Sequence, residues 1–193
     1  MSIFEKSRPR RSRPLVAVYD NNLLMEPSPH YQHSMLRERI IEHVFVGDAL
    51  RELWRASVMD VEVLRSEFDA YGYDLVMSRG PITRHIQLKA GTTPKPIKIA
   101  IQSALSDKPS GCVLWIHVSD RLEMGPYYWL GGSPGEWLPD LAGLPQAKGR
   151  RDKTGQRLSR PNHLAVPGAR FELIETLSEV LVKLFGSLQG AHA

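Results

Sequence analysis

Residues 68–90 read FDAYGYDLVMSRGPITRHIQLKA and place an aspartate, a glutamine and a lysine where they can do chemistry together. Two short apolar runs, 73–77 and 85–90, flank a turn-rich segment of Ser78, Arg79, Gly80 and Pro81. That pattern predicts two antiparallel strands joined by a loop. Side chains alternate faces along a strand, so Gln87 and Lys89 point the same way while Ile86, Leu88 and Ala90 turn toward a core. Asp74 opens the partner strand. A carboxylate, an amide oxygen and an ammonium meeting at one polar spot suit a hard cation. Such an ion needs only one or two carboxylates beside substrate phosphates. With a lysine at hand, the same spot can neutralise a phosphodiester and activate a water.

On these residues, an Asp followed after a spacer by Gln87-Leu88-Lys89, the chain resembles the PD-(D/E)XK nuclease superfamily, in the variant with glutamine at the acid position. The resemblance covers residues 34–118. It implies that Asp74 binds metal, that Gln87 takes the place of the variable acid, and that Lys89 is the catalytic lysine. It further implies Mg²⁺ (or Mn²⁺) as cofactor and an α-β-β-β-α-β core. Tyr73, not a proline, precedes Asp74, and Gln87 carries no charge. The first core helix of that superfamily often carries a glutamate that reaches the metal, and Glu42 fills that place. Glu38, four residues earlier on the same face, has equal claim on spacing alone.

Several elements must hold these groups. Ser34 is placed to cap a helix running to about residue 56. Leu36, Ile40, Val44 and Leu50 recur at helical intervals, and Ile41, Phe45, Leu53 and Trp54 widen the apolar arc, which predicts cover on two sides. A strand is expected at 61–64. Gly72, just before Asp74, suggests a bend that aims the carboxylate. Residues 97–105 fit both periods, and a helix is the reading that supplies a crossover to the next parallel strand. That strand is 112–118, CVLWIHV, apolar enough for a doubly covered position. Residues 127–130 read as a strand, with a hairpin toward Trp137 through Gly131-Gly132-Ser133-Pro134-Gly135. That loop lacks the Gly-Lys-Ser/Thr ending of a phosphate-binding loop. Phe171, Ile174, Leu177, Val180, Leu181 and Leu184 mark a C-terminal helix stopped near Gly186. The fold class expected is α/β: a mixed central sheet with helices on both faces, a restriction-endonuclease-like core and a C-terminal helix.

The chain has 193 residues, 42% hydrophobic and 24% charged, within the range of one globular domain with a real core. Residues 1–14 carry Lys6, Arg8, Arg10, Arg11 and Arg13 with two prolines, and read as a flexible basic arm before a single domain at 15–193. Residues 15–19 are apolar enough for an extra edge strand. His30 and His33 have no partners that complete a zinc set. Cys112 is the only cysteine, which excludes an internal disulfide and suits a cytoplasmic protein; within the 112–118 strand it reads as a core residue. No apolar run is long enough to span a membrane. Net charge is +4, compatible with a polyanion. Residues 148–160 hold Lys148, Arg150, Arg151, Lys153, Arg157 and Arg160 against one acid, Asp152, and read as a loop able to close on DNA phosphates. Lys95, in the polar turn after Lys89, joins Arg150, Arg151 and Lys153 as an expected nucleic-acid contact.

The function expected is metal-dependent endonucleolytic hydrolysis of DNA. Two alternatives stand beside it. One is a catalytically inactive nucleic-acid-binding module of the same fold. The other is a protein-interaction (toxin or immunity) protein that docks through its aromatic segment 127–137. A homodimer remains open.

Overall fold

The computed structural model describes residues 33–68, 71–151 and 155–188. The arm at 1–14, the strand expected at 15–19, His30 and Lys153 lie outside them. Among the described residues no helix is long and apolar enough to cross a membrane.

Helix α1 (Ser34–Arg55) leads into β1 (Val61–Arg65), β2 (Leu75–Arg79) and β3 (Ile82–Gly91). Next come β4 (Lys98–Gln102), a short 3-10 turn at Ser103–Asp107, β5 (Gly111–Val118) and β6 (Met124–Gly131). The chain closes with β7 (Gln146–Arg151), β8 (Arg157–Pro167), β9 (Glu172–Ile174) and α2 (Leu177–Phe185). Six strands form one sheet in the order β1-β2-β3-β5-β6-β9, and β4-β8-β7 form a second. In the large sheet β3 and β5 run parallel and every other pairing is antiparallel, so it is mixed.

The large sheet is covered on both faces, and its central strand shows how. Cys112, Leu114, Ile116 and Val118 of β5 share a core with Ile41, Phe45 and Leu53 of α1 and Val180, Leu181 and Leu184 of α2. The alternate residues Val113 and Trp115 share the other core with Ile101 of β4 and Val166 of β8. β5 is therefore the doubly buried strand its apolar run predicts. The thiol of Cys112 is buried and its pKa is pushed up to about 12 by desolvation, so it is a packing group and not a nucleophile. Iodoacetamide should leave the native protein unlabelled and label it fully in urea. Rapid native labelling would contradict this packing.

The structure corrects several expectations. Both helices pack on one face, and the other face is covered by the three-stranded sheet. No α-helix separates β3 from β5: residues 98–102 pair with β8, Ile101 opposite Leu164 and Ala100 opposite Ala165. The alternation in that segment is satisfied by a partner some sixty residues away, which no local pattern reveals. Residues 148–151 and 157–160 are not loop but paired strand, in β7 and β8. Trp137 ends no hairpin: Ser110 donates to the Glu136 carbonyl, tying that segment down as irregular chain.

Within the aromatic segment Tyr127 and Trp129 are buried in the core, whereas Trp137 is exposed. Residues 172–174 form β9 on the sheet edge, and α2 begins only at Leu177, where Thr176 and Glu179 form a capping box. At α1 the N-cap position is His33, without a side-chain cap, and Ser34 is the first helical residue. The apolar arc of α1 is covered on one side only; Leu36 and Trp54 are exposed.

Candidate active site

Position 74 is where β2 and β3 part. The strands stay in register from Arg79–Ile82 to Leu75–Ile86, joined by a tight turn at Gly80-Pro81. Beyond that point β3 runs on to Gly91 beside β5 alone. The Asp74 amide donates to the Ile86 carbonyl at 2.9 Å, and its Oδ2 accepts from the Leu88 amide at 2.7 Å. The Asp74 carbonyl accepts from Ser66 at 3.2 Å. The aspartate thus bonds to the residues on either side of Gln87, and its carboxylate serves the β3 amide that β2 no longer reaches.

The chain arrives there through Gly72, whose φ is +77°. A Cβ at that position would lie 2.4 Å from the Cβ of Gln102 in β4. Glycine is required twice over, for the left-handed backbone and for the close approach of the second sheet.

A cleft of about 690 Å³ opens between the first half of α1 and this fork. Asp74, Lys89, Glu38 and Glu42 all line it. Of the two glutamates that spacing could not separate, Glu42 is buried and Glu38 exposed. Glu42 accepts from Arg39 at 3.1 Å through Oε2. Arg65 Nε lies 3.2 Å from its Oε1 without hydrogen-bond geometry. The Arg39 contact was legible as a three-residue offset; the Arg65 contact comes from β1 and had no local signal.

Gln87 does not line the cleft. It pairs in register with Val113, lies beneath the second sheet at 2% exposure, and its Oε1 accepts no hydrogen bond. Gln87 and Lys89 share a face, as alternation requires, but the lysine sits farther along the strand, where that face opens. Ala90, expected in the core, is exposed. Lys95 is exposed in the turn after β3, while Arg150 and Arg151 lie in β7 of the second sheet.

These residues fit a hard divalent cation. The ligand atoms the cleft offers are all oxygen, from Asp74, Glu38 and Glu42, and Oε1 of Glu42 is buried without a hydrogen-bond donor, while the similarly unbonded Oε1 of Gln87 lies outside the cleft. No three His, Cys, Asp or Glu side chains among the described residues cluster tightly enough to hold a metal by themselves. The set therefore suits an ion that keeps several waters and takes one or two carboxylates.

Because the buried Oε1 of Gln87 accepts no hydrogen bond, Gln87→Leu should unfold at an equal or higher temperature and leave Mn²⁺ binding at the cleft unchanged. A loss of stability of about 1–3 kcal/mol in a urea melt, the cost of breaking a buried hydrogen bond, would instead make it structural.

The fold and cleft define a two-sheet α/β protein in which Lys89 and the acidic residues Asp74, Glu38, Glu42 and Asp120 line a cleft at the fork of the central sheet. No protein-family model matches the sequence, and no curated protein matches it.

Proposed function

We propose that the protein is a metal-dependent endonuclease that hydrolyses phosphodiester bonds in DNA. The observation that carries this reading is the meeting of Asp74 and Lys89 on one cleft with Glu42. Asp74 and Glu42 would hold Mg²⁺ (or Mn²⁺). Once bound, that ion supplies charge neutralisation on the phosphodiester and activation of water.

The chain's own groups do the rest. The hydrogen bond from the Leu88 amide fixes the Asp74 carboxylate in one orientation, so no reorganisation is needed when a ligand arrives. Lys89 Nζ donates to the attacking water or to a phosphate oxygen, orienting the first and stabilising charge on the second. Arg39 and Arg65 hold Glu42 at the cleft. The test is nicking of supercoiled plasmid in Mg²⁺ and in Mn²⁺. It should occur with either ion and stop in EDTA, and its absence in both would defeat the reading.

A catalytically inactive DNA-binding module of the same fold is the second reading. A specific observation favours it: Glu42 is already engaged by two arginines, and the acid position is an uncharged glutamine. Salt-sensitive DNA binding with no cleavage in any divalent metal would select it.

A further inference from the structure

The β7–β8 hairpin is built unlike the rest of the molecule. Arg157, Leu158, Ser159, Arg160, Pro161 and Asn162 are all exposed, so both faces of this part of β8 meet solvent. Nothing in its own burial accounts for a ribbon that carries so many cations. Lys148 sits opposite Ser159, and Arg157 opposite Arg151. Lys148, Arg157 and Arg160 make no ion pair with a carboxylate among the described residues. Arg160 instead meets the imidazole of His163 at 3.2 Å. The root of the ribbon is tied to the segment that leads into Asp74. His163 pairs with Gln102, the residue that packs on Gly72 just ahead of Asp74.

We infer that this ribbon binds double-stranded DNA, with Lys148, Arg157 and Arg160 on the phosphates of a groove, and so delivers duplex to the cleft. The inference rests on the endonuclease reading for its choice of polymer and adds that the substrate is B-form duplex. Three physical points select it. A two-stranded β-ribbon fits the major groove of B-DNA, about 12 Å wide. Six residues of exposed strand span roughly 20 Å, enough to enter it. The A-form groove of double-stranded RNA is too deep and narrow to admit such a ribbon. Single strands are held by stacking bases on aromatic rings, and neither β7 nor β8 contains a Phe, Tyr or Trp. Leu158, 62% exposed between the two arginines, offers an apolar contact to a groove wall.

The test uses the full chain in EDTA, where cleavage cannot intervene. Fluorescence anisotropy would follow a labelled 20-bp DNA duplex, one of its strands, and the RNA duplex of the same sequence, across a salt series. The parent should bind the DNA duplex tightest. Lys148→Ala/Arg157→Ala/Arg160→Ala should lose about tenfold or more in affinity, with a salt slope shallower by about two to three. All three side chains are exposed, so the variant should keep the parent's circular dichroism; Arg157→Glu alone provides the same comparison with a single change. Equal binding by parent and variants, or binding of single-stranded DNA or RNA duplex as tight as of DNA duplex, would overturn the inference. Failure here is separable from failure of the endonuclease reading. Duplex binding through the ribbon without nicking removes only the enzyme, and nicking with an unaffected ribbon variant removes only the ribbon.

Discussion

Lys89→Ala should nick plasmid about 10²- to 10⁴-fold more slowly than the parent, the range usual for removing a group that moves or orients a proton in the transition state. Its fold should not change, because the side chain lies at the mouth of a cleft and not in either core. Its affinity for duplex DNA in EDTA should stay within about threefold of the parent's, since one phosphate contact of several is lost. Single-turnover rates at saturating protein separate these effects. A slow chemical step with unchanged binding places Lys89 at the reacting phosphate. A fall in affinity that accounts for the whole loss of rate would make it one more phosphate contact, and the mechanism would lose its lysine.

Gly72→Ala should cost stability and activity together. The left-handed φ of +77° penalises a Cβ by about 1–2 kcal/mol, and contact with Gln102 adds about 1–3 kcal/mol of overpacking. The sum, about 2–5 kcal/mol, corresponds to a fall in melting temperature of roughly 5–20 °C for a chain of this size. The contacting atom is a Cβ, the least adjustable part of the glutamine side chain, so relief must come from the backbone. The backbone that can move is the one carrying Asp74, and nicking by the folded fraction should fall as well. An unchanged melting temperature would mean that the second sheet does not press on this segment.

What was legible in the sequence follows from which signals are local. Leu114, Ile116 and Val118 form so continuous an apolar run that β5 could only be central. The helical spacing of Ile41, Phe45 and Leu53 gave α1 nearly to its ends. The second sheet was hidden. β4 finds its partner only in β8, and the exposed half of β8 reads as polar loop because neither face is buried.

At the site, alternation correctly put Gln87 and Lys89 on one face. It could not see that β4 and β8 cover that face at Gln87 and leave it open at Lys89. The tie from the Leu88 amide to Asp74 was equally invisible. It depends on β2 ending one residue short of the place where its own carbonyl would have served.

The measurement that bears most directly on the cleft is a Mn²⁺ titration of the parent and of Asp74→Asn, followed calorimetrically with no nucleic acid present. The parent should take up the ion at a single site, and Asp74→Asn should bind it at least about tenfold more weakly while melting cooperatively. If the parent takes up no ion, or Asp74→Asn binds it as well as the parent, the aspartate does no more than tie off the end of β3, and the cleft is not a metal-dependent active site.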